Sequence, residues 1–138
     1  MGENHGEKRI IGCVETIIVK GTKKSKKVIA IIDTGATYTS IDKKIADEIG
    51  FEKIKRHIKI KSKSSADEFM RRPVIDTTIE LKGSSFDVEA NIEDRANMTC
   101  PVIIGRNILF KNFLVDVEKN DGLFREIYEK KFNKKKKW

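Results

Sequence analysis

An aspartate followed by threonine and glycine, Asp33-Thr34-Gly35, closes an apolar run in the segment AIIDTGATYTSID. Asp, Thr and Gly are common turn-formers, so a turn is one reading of the triplet. The other is acid–base chemistry, because a carboxylate at such a point can take a proton from water or give one to a carbonyl. A second apolar run, Val102-Ile103-Ile104, ends in Gly105-Arg106-Asn107-Ile108-Leu109, with Gly105 lying 70 residues after Gly35. Other chemistries find no support. His5 and His57 are isolated, and no H-E-x-x-H or Cys/His cluster offers a zinc site. No G-x-x-x-x-G-K-[ST] run is present for ATP, so no cofactor is expected. Cys13 and Cys100 sit in apolar neighbourhoods and read as reduced residues in or near the core.

The elements that must position Asp33 follow from periodicity. Residues 10–20 are rich in β-branched side chains, residues 21–25 form a polar turn, and residues 28–32 form a strand that delivers Asp33 at its end. Ile41, Ile45, Ala46 and Ile49 mark one face of a short helix capped by Ser40 or Asp42 and stopped by Gly50. Asp33 is thus expected in a loop between a buried strand and a helix. Ile54, Ile58 and Ile60 mark an extended segment, and a hairpin over 59–70 has a polar tip. Residues 77–81 and 86–92 alternate as a second hairpin, residues 101–104 read as a buried strand, and residues 106–110 as a short helix. A last strand is expected at 113–117 and an amphipathic helix at 123–132. About seven short strands and one or two helices indicate a mainly β domain, a closed barrel or a sandwich.

At 138 residues the chain is expected to form one domain on its own core. Residues 1–9 read as a flexible N-terminus, 10–120 as the domain, and 121–138 as a helix with a lysine-rich tail. No apolar run approaches the ~20 residues of a membrane span, and the polar start MGENHGEKRI lacks a leader pattern, so a cytoplasmic location is expected. The last nine residues hold six lysines of a net charge of +8, which leaves +2 for the rest. Such a tail is a solvated run with weak affinity for polyanions, nucleic acid included.

The two apolar-to-glycine segments together resemble those of retropepsin-type aspartic proteases. A closer similarity runs through Ile11-Gly12-Cys13-Val14-Glu15, Arg71-Arg72-Pro73-Val74, Glu93-Asp94-Arg95-Ala96-Asn97-Met98, Ile104-Gly105-Arg106 and Phe113-Leu114-Val115-Asp116. It is to the RimB-like family associated with RimK-type glutamate ligases and often labelled "ATP-dependent zinc protease". The residues support neither half of that label. The resemblance implies a single-domain retropepsin-like β-barrel and a peptidase that trims glutamate tails.

On this resemblance Asp33 is the catalytic carboxylate, Thr34 locks the loop through its hydroxyl, and Gly35 gives backbone and substrate room. With one Asp-Thr-Gly per chain, the second aspartate comes from another copy, so a homodimer with the site on its two-fold axis is implied. Ala36, Arg71, Arg72 and Arg95 are implied substrate contacts, the arginines through bidentate bonds to carboxylates. For Arg71 and Arg72 ordinary salt bridges on an exposed strand pair remain open, and Arg95 fits either a binding or a supporting role. Gly105, Arg106 and Asn107 are implied supports of the loop, with Asp94 a candidate partner of Arg106. The hairpin over 59–70 is the implied flap. Viral retropepsins carry a carboxylate two positions after the glycine, where this chain has Thr37 and then Tyr38. Competing readings are a non-catalytic module of the same fold and a basic, RNA-associated protein using the tail, though aromatics are few and no RNA-binding motif is present.

Overall fold

The computed structural model describes residues 8–61 and 69–132. In chain order the elements are β1 (Arg9–Ile11), β2 (Val14–Lys20), β3 (Ser25–Ile32), β4 (Thr39–Asp42), α1 (Lys43–Ile49), β5 (Arg56–Lys61), β6 (Phe69–Leu81), β7 (Ser84–Glu93), β8 (Val102–Ile104), α2 (Arg106–Leu109), β9 (Phe113–Val115) and α3 (Asp121–Phe132).

Turn chemistry makes the two long hairpins. The β2–β3 turn packs Gly21 so tightly against the Gly50 carbonyl that no side chain fits there. The amides of Lys23 and Lys24 donate to the Ile49 carbonyl, which closes the C-terminus of α1. Between β6 and β7, Lys82 and Gly83 take φ of 54° and 80°. Positive φ at both central residues suits a two-residue hairpin turn whose twist matches the strands.

Six strands close a ring. The order is β2-β3-β8-β4-β7-β6, and β6 pairs back onto β2 through Ile18↔Glu80, Val19↔Ile79 and Lys20↔Thr78. β5 hangs outside the ring, paired only to the N-terminal half of β6. Pro73 sits where β6 has β5 as its neighbour but has not yet met β7, so its missing N–H breaks no central ladder. Inside the ring Ile17, Val19, Ile41, Ile75, Ile79, Leu81, Val102 and Ile104 pack together, and α1 and α2 contribute Ile45, Ile49 and Ile108. Outside it, β1 and β9 form a parallel pair, and the Asn120 side chain donates to the Val14 carbonyl and the Glu15 carboxylate just before α3 begins.

The mainly β closed fold agrees with the sequence reading, while several boundaries differ. Residues 10–20 are not one strand: the chain breaks after Ile11, because Gly12 packs against the Lys119 carbonyl where a side chain would clash. Asp33 does not lead into a helix. Thr39–Asp42 forms a buried strand between β7 and β8, and α1 starts only at Lys43, with Asp42 rather than Ser40 as its cap. The return of the first hairpin and the start of the second are one thirteen-residue strand, β6. The last strand stops at Val115 and α3 begins two residues earlier than expected, at Asp121. Of the expected hairpin tip at 61–68 only Lys61 is described, as the end of β5, and the lysine tail from 133 lies outside the described residues. No helix among the described residues is long and apolar enough to cross a membrane.

Closure depends on the β2–β6 seam, where Ile79 is fully buried against the core. Ile79→Ala removes that packing and should cost about 2–5 kcal/mol of unfolding free energy. Urea denaturation of the variant checks this, and a loss under about 1 kcal/mol would contradict a seam of this kind.

Candidate active site

β3 and β8 run parallel and stop together, Ile32 beside Ile104, so the segments that follow are released side by side. The Asp33 amide donates to the Ile104 carbonyl at 2.9 Å. One carboxylate oxygen of Asp33 accepts from the Gly35 amide at 2.9 Å, and its carbonyl accepts from the Ala36 amide at 3.2 Å. Asp33 therefore does shape a turn, but with one oxygen only. The other carboxylate oxygen has no hydrogen-bond donor among the described residues, and Thr34, Gly35, Thr37 and Tyr38 are exposed around it.

The turn after β8 holds this loop from behind. Arg106 donates three times: its amide to the Ala36 carbonyl at 2.8 Å, Nη1 to the Thr34 carbonyl at 3.2 Å, and Nη2 to Thr37 Oγ1 at 3.1 Å. Asn107 donates its amide to the Thr37 carbonyl and its Nδ2 to the Glu89 carbonyl. Its Oδ1 accepts both the amide and the hydroxyl of the buried Thr39, at 3.1 and 2.8 Å. The Thr39 hydroxyl in turn accepts from the Gly105 amide at 3.2 Å. The expected pairing of Arg106 with Asp94 does not occur, since Asp94 caps its own turn by accepting the Ala96 amide. The Thr37 hydroxyl stands as the acceptor of Arg106 in place of a carboxylate.

The two glycines answer to different demands. A Cβ on Gly105 would fall on the Tyr38 carbonyl and 3.0 Å from the Ala36 carbonyl oxygen, so the loop itself excludes a side chain there. At Gly35 a Cβ would meet only the Asp33 carboxylate, at 3.3 Å. The Thr34 hydroxyl makes no hydrogen bond among the described residues, and only its carbonyl is held.

The three other arginines fall apart into different settings. Arg71 is exposed on β6. Arg72 is largely buried, its Nη2 paired with Glu93 Oε1 at 3.2 Å. Arg95 is buried: Nη1 binds Glu93 Oε2 at 3.1 Å, Nε donates to the Cys100 carbonyl, and its amide donates to Asp42. Burial pushes the Cys100 thiol up, with the Arg95 charge opposing. Arg71 and Arg72 line a cleft of about 410 Å³ with Lys43, Phe51 and Ile54, and Asp33 is not among its lining residues. The sequence reading passed over Thr39, took Asp42 only as a candidate helix cap and gave Glu93 no role of its own. Each is a polar residue at a strand end, Thr39 and Asp42 buried and Glu93 partly so, a placement that local periodicity does not reveal.

Over residues 40–122 the chain matches the family described as RimB-like, retropepsin-like aspartic endopeptidase RimB. No curated protein matches it. Among solved structures the fold is similar to that of Lpg0085, a protein of unknown function from Legionella pneumophila, with a TM-score of 0.55 and 21% identity over 80% of this chain and 94% of that one. The simian foamy virus (mac) protease has a TM-score of 0.49 and 16% identity, over 72% of this chain and all of that one. The EIAV protease in complex with an inhibitor has a TM-score of 0.48 and 17% identity, over 83% of this chain and all of that one.

Gly105→Ala should push the 33–38 loop off its support and destabilise the protein by about 1–3 kcal/mol. The matched control is Gly122→Ala, where a Cβ meets nothing within 4 Å. Thermal unfolding of the pair checks this, and equal midpoints would contradict the tight packing described.

Proposed function

The chain belongs to the RimB-like family of retropepsin-like aspartic endopeptidases, and on that footing we propose that it is a homodimeric aspartic peptidase acting on peptide or isopeptide bonds of glutamate-rich tails. The observation that carries this reading is a single Asp-Thr-Gly per chain on an exposed loop, with one carboxylate oxygen of Asp33 left without a donor among the described residues. Two copies of Asp33 facing each other across a two-fold axis would form the dyad. Carboxylates about 3 Å apart cannot both ionise cheaply, so the pair shares one proton. The ionised member takes a proton from a water whose oxygen attacks the scissile carbonyl carbon, and the protonated member donates to the carbonyl oxygen.

Features left open in one chain support a second copy. The Thr34 hydroxyl and the space over Gly35 are exposed and have no partners among the described residues. Ile10 and Leu114, cross-strand neighbours on β1 and β9, are 50% and 45% exposed, with Phe110 and Val117 still more so. A cluster of large exposed apolar side chains is a mark of an interaction surface. The β5–β6 hairpin would serve as the flap that excludes water. Arg71 is exposed on its return strand, which supports a role for it in meeting a substrate carboxylate.

Asp33→Asn keeps the turn-forming oxygen and removes the titrating group, so it should fold as the wild type does and lose all detectable cleavage of glutamate-tailed peptides. Mass spectrometry of such peptides after incubation reads this out. Cleavage by the variant at the wild-type rate would overturn the reading and leave a binding module of the same fold.

A further inference from the structure

The β5–β6 arm is tied to the barrel at its base in two ways. On the surface, Lys55 and Arg56 pair with Glu89 at 3.0 and 2.6 Å, and these bonds, Lys55 first, hold the Glu89 carboxyl below its ordinary range. Exposed pairs of this kind contribute little to stability. The second tie is Arg72, which is largely enclosed, with Nη2 on Glu93 at 3.2 Å and Nη1 at 3.5 Å from Asn91 Oδ1.

Both of these acceptors lead away from the arm. Asn91 Oδ1 also accepts from the Ser40 hydroxyl at 3.0 Å, and its Nδ2 donates to the Thr39 carbonyl at 3.3 Å. Thr39 is locked to Asn107, and Asn107 and Arg106 hold the carbonyls of Thr37, Ala36 and Thr34. The Glu93 branch passes through Arg95, whose amide reaches Asp42, the cap of α1. Arg72 is the junction of the two branches, and its Nε is buried without a partner among the described residues. A buried donor in that state costs about 1–3 kcal/mol, so the side chain is retained there against a penalty.

We propose that Arg72 is a positioning residue: through Asn91 and Thr39 it couples the β5–β6 arm to the 33–38 loop and fixes how the two stand relative to each other. Its functional meaning rests on the proposed peptidase reading, in which arm and loop face one substrate. The coupling itself does not. It separates Arg72 from Arg71, which has no such ties among the described residues and keeps the proposed substrate role.

Amide hydrogen exchange on the intact protein tests it, whether or not a cleavable substrate is in hand. Arg72→Met should speed exchange at the Asp33, Gly35, Ala36 and Asn107 amides by about tenfold or more, a loss of about 1.4 kcal/mol of local protection. Amides of the β2–β3 ladder should keep their wild-type rates. Arg72→Lys, which keeps the charge near Glu93 but not the fork, should fall between the two, and Glu89→Gln should leave the loop unchanged. If Arg72→Met does not fold, Arg72→Lys and Asn91→Asp carry the comparison. Faster exchange confined to β5 and β6, or raised equally over the whole barrel, would overturn the proposal. Inactivity of the wild type on peptides would sink the peptidase reading and leave the exchange result standing.

Discussion

The 33–38 loop does little to support itself. Two bonds within the turn fix Asp33, Gly35 and Ala36, and the rest of its hydrogen bonding comes from the Ile104 carbonyl, Arg106 and Asn107. That support exists only because β3 and β8 run parallel and end in register. Parallel neighbours cannot be joined by a tight turn, so the chain between them must leave and return. Here the excursion builds β4 through β7, closes the ring on β2, and inserts β4 between β8 and β7. Thr39, the first residue of β4, is fully buried with its amide and hydroxyl both satisfied by Asn107. Barrel closure and loop geometry are thus one constraint.

How much of this could be read in the sequence depended on the range of each signal. Alternation located β6 and β7, and the apolar runs ending at Asp33 and Gly105 located the two strands whose ends meet. β4 escaped because four residues, Thr39-Ser40-Ile41-Asp42, are too few to display a period of two. Their polar side chains are buried by partners some fifty positions away, at Asn91 and Arg95. The same distance hid the setting of Arg95, whose local sequence resembles a solvated turn but whose guanidinium is enclosed by Glu93 and the Cys100 carbonyl. Gly105 was legible as a motif, and its reason, a carbonyl pressed where Cβ would stand, became visible only with Tyr38 in place.

Electrostatics divide the molecule in a similar way. In the enclosed cluster the guanidiniums of Arg72 and Arg95 share the one carboxylate of Glu93, while Asp42 accepts the Arg95 backbone amide. Splitting such a cluster by removing one partner costs more than the cluster contributes when whole. Arg106 differs, because its side-chain acceptors among the described residues are a carbonyl and a hydroxyl and no carboxylate. On the proposed peptidase reading, the acid–base pair at this site is assembled from two chains.

Solution mass by sedimentation equilibrium at micromolar concentration tests that requirement most directly. The account predicts a species near twice the 15.8 kDa of one chain. A strictly monomeric protein, with or without a glutamate-tailed peptide present, would contradict it.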